Sequence, residues 1–144
     1  MQPILEKFNF NNLLIKEYEN WYLLLRNEQI TIGFLVLIEK SFKIKYSDIS
    51  SESFEEFGSI VQDIETTLTK LFIYDKINYL MLMMVDDEVY YHIIPRYSKD
   101  CVFENITFKD KGWSGLPDFS NNNKINEKVT HKLLNFIKTE LENK

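Results

Sequence analysis

Side chains that could do chemistry recur at alternate positions of the segment EVYYHIIPRY, residues 88–97. In an extended strand alternate residues share one face, so Glu88, Tyr90, His92 and Arg96 would lie together. Burying ionisable or hydrogen-bonding groups side by side is costly unless they serve a purpose. An imidazole suits nucleophilic or acid–base work near neutral pH, and a guanidinium suits phosphate binding. The segment is therefore the first candidate for a functional site.

The composition predicts one globular domain spanning residues 1–144. Hydrophobic residues make up 44% of the chain and aromatic residues 15%, which is enough for a well-filled core. Only 4 Gly and 3 Pro are present, and this scarcity argues against a linker-rich or disordered chain. The candidate strand is therefore expected to sit on a folded scaffold.

Charge and cysteine content restrict the partners and the compartment. The net charge of −5 argues against a broad surface for nucleic acid. Cys101 has no second cysteine to pair with, no signal peptide is recognisable, and no apolar run reaches membrane-spanning length. One cysteine and two distant histidines cannot form a zinc site, and no Gly-rich phosphate loop or dinucleotide motif is present. We expect a cytoplasmic protein with no metal or cofactor, and with neither nucleic acid nor a membrane as partner.

The scaffold that positions the candidate strand is predicted from residue periodicity. Runs rich in β-branched and aromatic residues predict five strands, at 12–18, 21–26, 31–40, 77–85 and 88–97. Apolar residues spaced by three and four predict helices across 54–72 and 125–141. The pair Asp86-Asp87 predicts a tight hairpin between the last two strands, and residues 98–123 are predicted to be irregular. Hairpin-connected strands with two helices packed on one face predict an antiparallel α+β fold.

Two segments in this order, with a helix between them, resemble the histidine-triad superfamily of nucleotide hydrolases and transferases. GFLVLIEK, residues 33–40, is similar to that family's strand Gly-His-x-Leu-Val-Ile-Pro-Lys and keeps Gly33 and Lys40. EVYYHIIPRY is similar to the defining His-x-His-x-His segment, which runs on into Pro95 and Arg96. The resemblance implies a homodimer whose sheets join, with a nucleotide held over the histidine strand. It also implies attack by the middle histidine on an α-phosphate, through a nucleotidyl-histidine.

The sequence departs from that pattern at the nucleophile. Glu88 stands at the first histidine position and Tyr90 at the middle one, so only the third histidine remains, as His92. A phenol has a reference pKa of about 10 and is mostly protonated at neutral pH, which makes it a poor substitute for imidazole. Phe34 likewise stands where the family often has a histidine after the glycine. The standard chemistry is therefore expected to be lost or altered.

Three hypotheses about function follow. The first is a nucleotide-phosphate-binding protein without the standard chemistry, whose ligand contacts come from His92, Tyr90, Arg96 and Lys40. The second is an active hydrolase or transferase on a nucleoside phosphate ester, anhydride or phosphoramidate. In it His92 or Tyr90 does the chemistry while Glu88 orients it, or water attacks directly. The third is a folded dimer in which these side chains meet no ligand. We adopt the first as the working hypothesis.

Overall fold

The structure is a computed structural model that describes residues 1–121, 123 and 125–143. Within these ranges, seven strands and four α-helices follow one another along the chain. In order they are α1 Pro3–Lys7, α2 Phe10–Leu13, β1 Leu14–Glu17, β2 Trp21–Leu25, β3 Leu35–Glu39, α3 Ser51–Leu71, β4 Lys76–Leu80, β5 Tyr90–Arg96, β6 Cys101–Phe103, β7 Ile106–Phe108 and α4 Glu127–Glu142. No helix in the described part of the chain is long and apolar enough to cross a membrane.

A five-stranded antiparallel sheet carries the candidate site. Its strand order is β1-β2-β3-β5-β4, so β3 and β5 lie at or next to the centre, and β1 and β4 form the two edges. In the register of β3 with β5, Val36 lies opposite His92 and Ile38 opposite Tyr90. All five residues of β3 are buried, as expected of a strand covered on both faces. The predicted α+β class with an antiparallel sheet is confirmed.

The two predicted helices pack on one face of the sheet, as expected, and a short helix that the sequence did not predict lies on the other face. The long helices α3 and α4 pack against each other and against the face that carries Leu35 and Leu37. On the opposite face Phe8, at the end of the short helix α1, packs beside Val36 and Tyr90. Helix α1 has only five residues, too few to display an amphipathic repeat in the sequence. This second face is the one that bears the site.

The connection between β4 and β5 is long. The prediction of a tight hairpin at Asp86-Asp87 was therefore wrong. Strand β4 ends at Leu80 and β5 begins at Tyr90, so residues 81–89 form an irregular connection. The apolar run in this connection predicted a strand, yet its side chains are largely exposed at Leu82, Met84 and Val85. Hydrophobicity alone cannot distinguish an apolar strand from an apolar loop. The connection passes directly over the site.

Residues 98–123 contain a second sheet, although the sequence predicted an irregular segment. Strands β6 and β7 pair antiparallel and are joined by Glu104 and Asn105, both with positive φ (52° and 63°). Two-residue hairpin turns with positive φ favour Asn and Gly. Because a glutamate stands at the first position here, the sequence did not predict the turn. The remainder of the described loop, 109–121, folds back over the sheet.

Candidate functional site

A cavity of about 230 Å³ lies over the face of β5 that carries Tyr90 and His92. Its walls come from α1, from the end of β2, from the 81–89 connection and from the 109–121 loop. The lining residues are Lys7, Phe8, Arg26, Leu82, Met84, Val85, Asp86, Tyr90, His92 and Phe119. Four separate segments of the chain thus meet around Tyr90 and His92, the two side chains of β5 that the sequence singled out.

His92 is held as a neutral imidazole with a defined tautomer. Its Nδ1 lies 3.3 Å from Nη1 of Arg26. A guanidinium can only donate, so Nδ1 accepts and the ring proton resides on Nε2. Burial first, and then the Arg26 charge, lower the pKa of His92 from 6.5 to about 4. His92 therefore offers a donor N–H rather than a free lone pair.

Tyr90 is held as a protonated phenol. Its hydroxyl donates to Oδ2 of Asp86 at 3.3 Å, and the same oxygen accepts from Nζ of Lys7 at 2.5 Å. Burial first, and then the Asp86 charge, raise the pKa of Tyr90 to about 12. Glu88, in the 81–89 connection, adds a smaller effect in the same direction. A phenolate nucleophile is therefore disfavoured at neutral pH.

Arg26 is the main functional residue that the sequence analysis missed. Its guanidinium lies between the rings of Phe8 and Phe34, with Cζ 4.8 Å and 4.7 Å from the two centroids. Burial lowers the pKa of Arg26, but an arginine side chain remains charged at neutral pH. In the described part of the chain, the bond to His92 is the one hydrogen bond that this guanidinium makes. The sequence signal that could have identified Arg26 is its position as a single charged residue directly after the apolar run WYLLL.

Gln29 fixes the loop that presents Arg26. The Gln29 side chain is buried, accepts from the backbone N–H groups of Gly33 and Phe34, and donates to the carbonyls of Arg26 and Phe34. Gly33 has φ of +91°, and a Cβ there would lie 3.2 Å from Pro95. The hydrogen bonds of the Gln29 side chain and the backbone conformation of Gly33 together fix the loop 26–34.

Arg96 and Lys40 lie away from this cavity, each with a carboxylate of its own. Arg96 Nε donates to Asp110 at 2.8 Å, and the side chains of this pair are 5% and 1% exposed. Lys40 Nζ donates to Glu17 at 2.6 Å. Of the five residues proposed for the site from sequence, Tyr90 and His92 line the cavity, whereas Glu88, Arg96 and Lys40 do not.

The Arg96–Asp110 pair anchors the loop that closes one wall of the cavity. Arg96 Nη1 also donates to the Asn78 side chain and to the Gly115 carbonyl, and Asp110 accepts from two backbone N–H groups. Further along the loop, Phe119 meets the His92 ring edge-on at a centroid distance of 5.2 Å. Arg96 therefore contributes to the site through the loop.

Taken together, the polar groups of the cavity suit an anion. Lys7 and Arg26 supply positive charge, His92 and Tyr90 supply N–H and O–H groups, and Asp86 supplies the single carboxylate of the lining. Over the described ranges, no three His, Cys, Asp or Glu side chains gather as a metal site would require.

Comparison with known proteins gives the fold. No protein-family model and no curated protein matches the chain. A histidine triad protein from Sinorhizobium meliloti superposes with a TM-score of 0.73 at 16% identity, over 95% of this chain and 93% of that one. One from Bradyrhizobium japonicum gives 0.69 at 12% identity, over 98% and 96%. A hypothetical histidine triad nucleotide-binding protein from Sulfolobus tokodaii gives 0.66 at 17% identity, over 96% and 89%.

The chain therefore has the histidine-triad fold, and the resemblance is confirmed at that level. At such identities the likeness concerns the path of the backbone, and fold alone does not fix activity. What the site does has to be argued from its own side chains.

Proposed function

We propose that the cavity over β5 binds a nucleotide through its phosphate without performing nucleotidyl transfer. The observation that carries this proposal is that neither candidate nucleophile is available. Nδ1 of His92 accepts from Arg26, and the Tyr90 hydroxyl donates to Asp86. Cationic and hydrogen-bond-donor groups surround these two side chains. The cavity can therefore bind an anion although it offers no nucleophile to attack one. The fold shared with the Sulfolobus tokodaii protein, whose name includes nucleotide binding, supports the ligand class.

The size of the cavity fits a phosphate and part of what it is attached to. At about 230 Å³ it is smaller than the roughly 300–1,000 Å³ typical of sites that enclose a whole drug-sized ligand. Phe119, Leu82 and Met84 line the cavity and are 43%, 50% and 74% exposed. The rest of the nucleotide would therefore rest against these apolar side chains, where a base can pack.

Binding and turnover are tested together. We expect AMP to raise the melting temperature of the wild type, and to do so less in His92→Ala, because binding to the folded state stabilises it. We expect no products when the wild type is incubated with dinucleoside polyphosphates, nucleoside phosphoramidates and nucleotide sugars. Turnover by the wild type, destroyed by His92→Ala or Tyr90→Phe, would contradict the proposal and favour the hydrolase or transferase hypothesis. Turnover by Tyr90→His alone would show a competent pocket that lacks its nucleophile.

We also propose that the protein is a homodimer, formed through the β4 edge of the sheet. Support comes from the two edges, which differ. The β1 edge is interrupted by an irregularity between Leu14 and Lys16, and such bulges together with charges discourage edge pairing. The β4 edge is regular and continues into the exposed apolar residues of the 81–89 connection. A cytoplasmic location stays a prediction of the sequence.

A further inference from the structure

We propose that Arg26 and Lys7 form the anion-binding subsite of this cavity, and that Asp86 is an internal anion that the ligand displaces from Lys7. This inference rests on the proposed function only in taking the anion to be the phosphate of a nucleotide. It assigns the charge recognition to one residue at the end of a strand and one on an N-terminal helix, and the sequence pattern identified neither as a site residue.

Arg26 is the first half of the subsite because its donors are largely unused. The guanidinium carries five N–H groups, and one of them contacts His92. The centroids of Phe8 and Phe34 lie 4.8 Å and 4.7 Å from its central carbon, and these ring contacts do not use its N–H groups. Arg26 also lines a neighbouring cavity of about 340 Å³. A planar fork held between two rings is suited to bind two oxygens of one phosphate.

Lys7 is the second half because it lines the same two cavities as Arg26. Its ammonium group is neutralised by Asp86 at 2.5 Å, with side-chain exposures of 45% and 16%. The cavity then holds two cations and one carboxylate. A phosphate that replaced Asp86 at Lys7 would meet both cations.

The carboxylate of Asp86 interacts with the other four polar side chains of the cavity. It is the acceptor for Lys7 and Tyr90, and its charge acts on Arg26 and His92 as well. It lies in the 81–89 connection, outside any strand, where no sheet ladder fixes its backbone. Its release would also free the Tyr90 hydroxyl to donate to the bound anion.

The experiment measures the affinity for AMP and for inorganic phosphate by calorimetry, at fixed and low ionic strength. We expect Arg26→Gln and Lys7→Gln each to weaken binding about tenfold, the effect of one lost charge-assisted hydrogen bond. We expect Asp86→Asn to strengthen binding several-fold, because it removes a competing anion. A merely structural role for Asp86 would give the opposite sign.

The pair Lys132–Glu104 provides matched controls. Its atoms lie 2.8 Å apart and its side chains are 50% and 39% exposed, so it resembles Lys7–Asp86 in geometry but lies in a different part of the molecule. Lys132→Gln and Glu104→Gln are expected to leave both affinities unchanged. Arg26→Lys keeps the charge without the planar fork and is expected to fall between the wild type and Arg26→Gln. Lys7 is on the surface, so Lys7→Gln remains informative if a change at Arg26 unfolds the protein.

The outcomes separate this inference from the proposed function. Weaker binding in Asp86→Asn would overturn the displacement. AMP binding that is insensitive to Arg26→Gln and Lys7→Gln but is lost in Lys40→Gln would overturn the subsite and leave the proposed function intact. Arg26-dependent binding of inorganic phosphate with no affinity for AMP would support the subsite and reject a nucleotide ligand. Failure of both probes to bind the wild type would reject both.

Discussion

At the scale of single residues, the surroundings of His92 favour a hydrogen-bond donor over a nucleophile. The ring of His92 is buried, and the cation beside it makes protonation more costly still. Because Arg26 donates to Nδ1, the lone pair on that nitrogen is engaged and Nε2 carries the proton. His92 then resembles a positioned amide N–H more than a base. Donation to an oxygen of a ligand is the chemistry that remains.

The buried neutral state of His92 predicts a specific pH dependence of stability. The folded-state pKa of about 4 lies below the ordinary value of 6.5, so between these values the unfolded chain binds a proton that the folded chain does not. Stability should therefore fall as the pH drops through this window, by up to about 1.4 kcal/mol per pH unit. Urea unfolding at several pH values should show this fall in the wild type and a flatter profile in His92→Gln.

The exposed histidine of the chain is the control for that measurement. His131 lies on helix α4, with 54% of its side chain exposed. His131→Gln should keep the profile of the wild type. An equally flat profile in both variants, or no change in either, would show that the buried ring is not the group responsible.

Residue periodicity accounts for part of the site and stops where contacts become long-range. Tyr90 and His92 were found because alternate residues of a strand share a face. Arg26 reaches His92 across 66 positions, and Lys7 reaches Asp86 across 79. No local pattern encodes such pairs, so the cations of the site became visible only when the fold placed them.

At the scale of elements, one buried ion pair helps to hold the 109–121 loop. The side chains of Arg96 and Asp110 are almost fully buried and are hydrogen-bonded to strand, loop and backbone groups. From the sequence, Arg96 appeared at the end of a candidate strand and suggested a phosphate contact. Nothing in the strand itself shows that a carboxylate 14 positions later approaches it. The same interaction stabilises the loop that brings Phe119 to His92.

Breaking this pair should be costly in a way that breaking a surface pair is not. Asp110→Asn leaves the buried Arg96 charge without its counterion, and we expect it to lower the free energy of unfolding by about 3–5 kcal/mol. Asp100→Asn is the matched control, because Asp100 pairs with Lys109 at 3.3 Å with side chains 45% and 60% exposed. That change should cost less than about 1 kcal/mol. Equal losses in urea unfolding would contradict the anchoring role of Arg96.

At the scale of the whole molecule, the sheet separates a face packed by the long helices from a face that carries the candidate site. Its α3–α4 face holds the large hydrophobic cluster, whereas the other face carries a smaller cluster around α1 and the site. The sequence predicted the first face well, because the apolar residues of long amphipathic helices recur with a recognisable spacing. It did not predict the second, because α1 and the connections that build it are short or irregular. The site and the free β4 edge meet at the 81–89 connection.

This arrangement makes the oligomeric state a test of how the molecule uses that edge. If two β4 strands pair, the exposed apolar side chains of Met84 and Val85, 74% and 88% exposed in one chain, lie where a second copy would cover them. The wild type should elute as a dimer in size-exclusion chromatography with light-scattering detection. The double variant Met84→Glu, Val85→Glu should elute as a monomer, because it places charges in the contact. Val102→Glu alters an apolar residue that is 66% exposed and lies on β6, outside the five-stranded sheet, and it should leave the dimer intact. A wild-type monomer would contradict the edge pairing, and loss of the dimer in Val102→Glu alone would place the interface at the β6–β7 sheet. Because the connection also lines the cavity, dimerisation through β4 would place a second copy next to the mouth of the site.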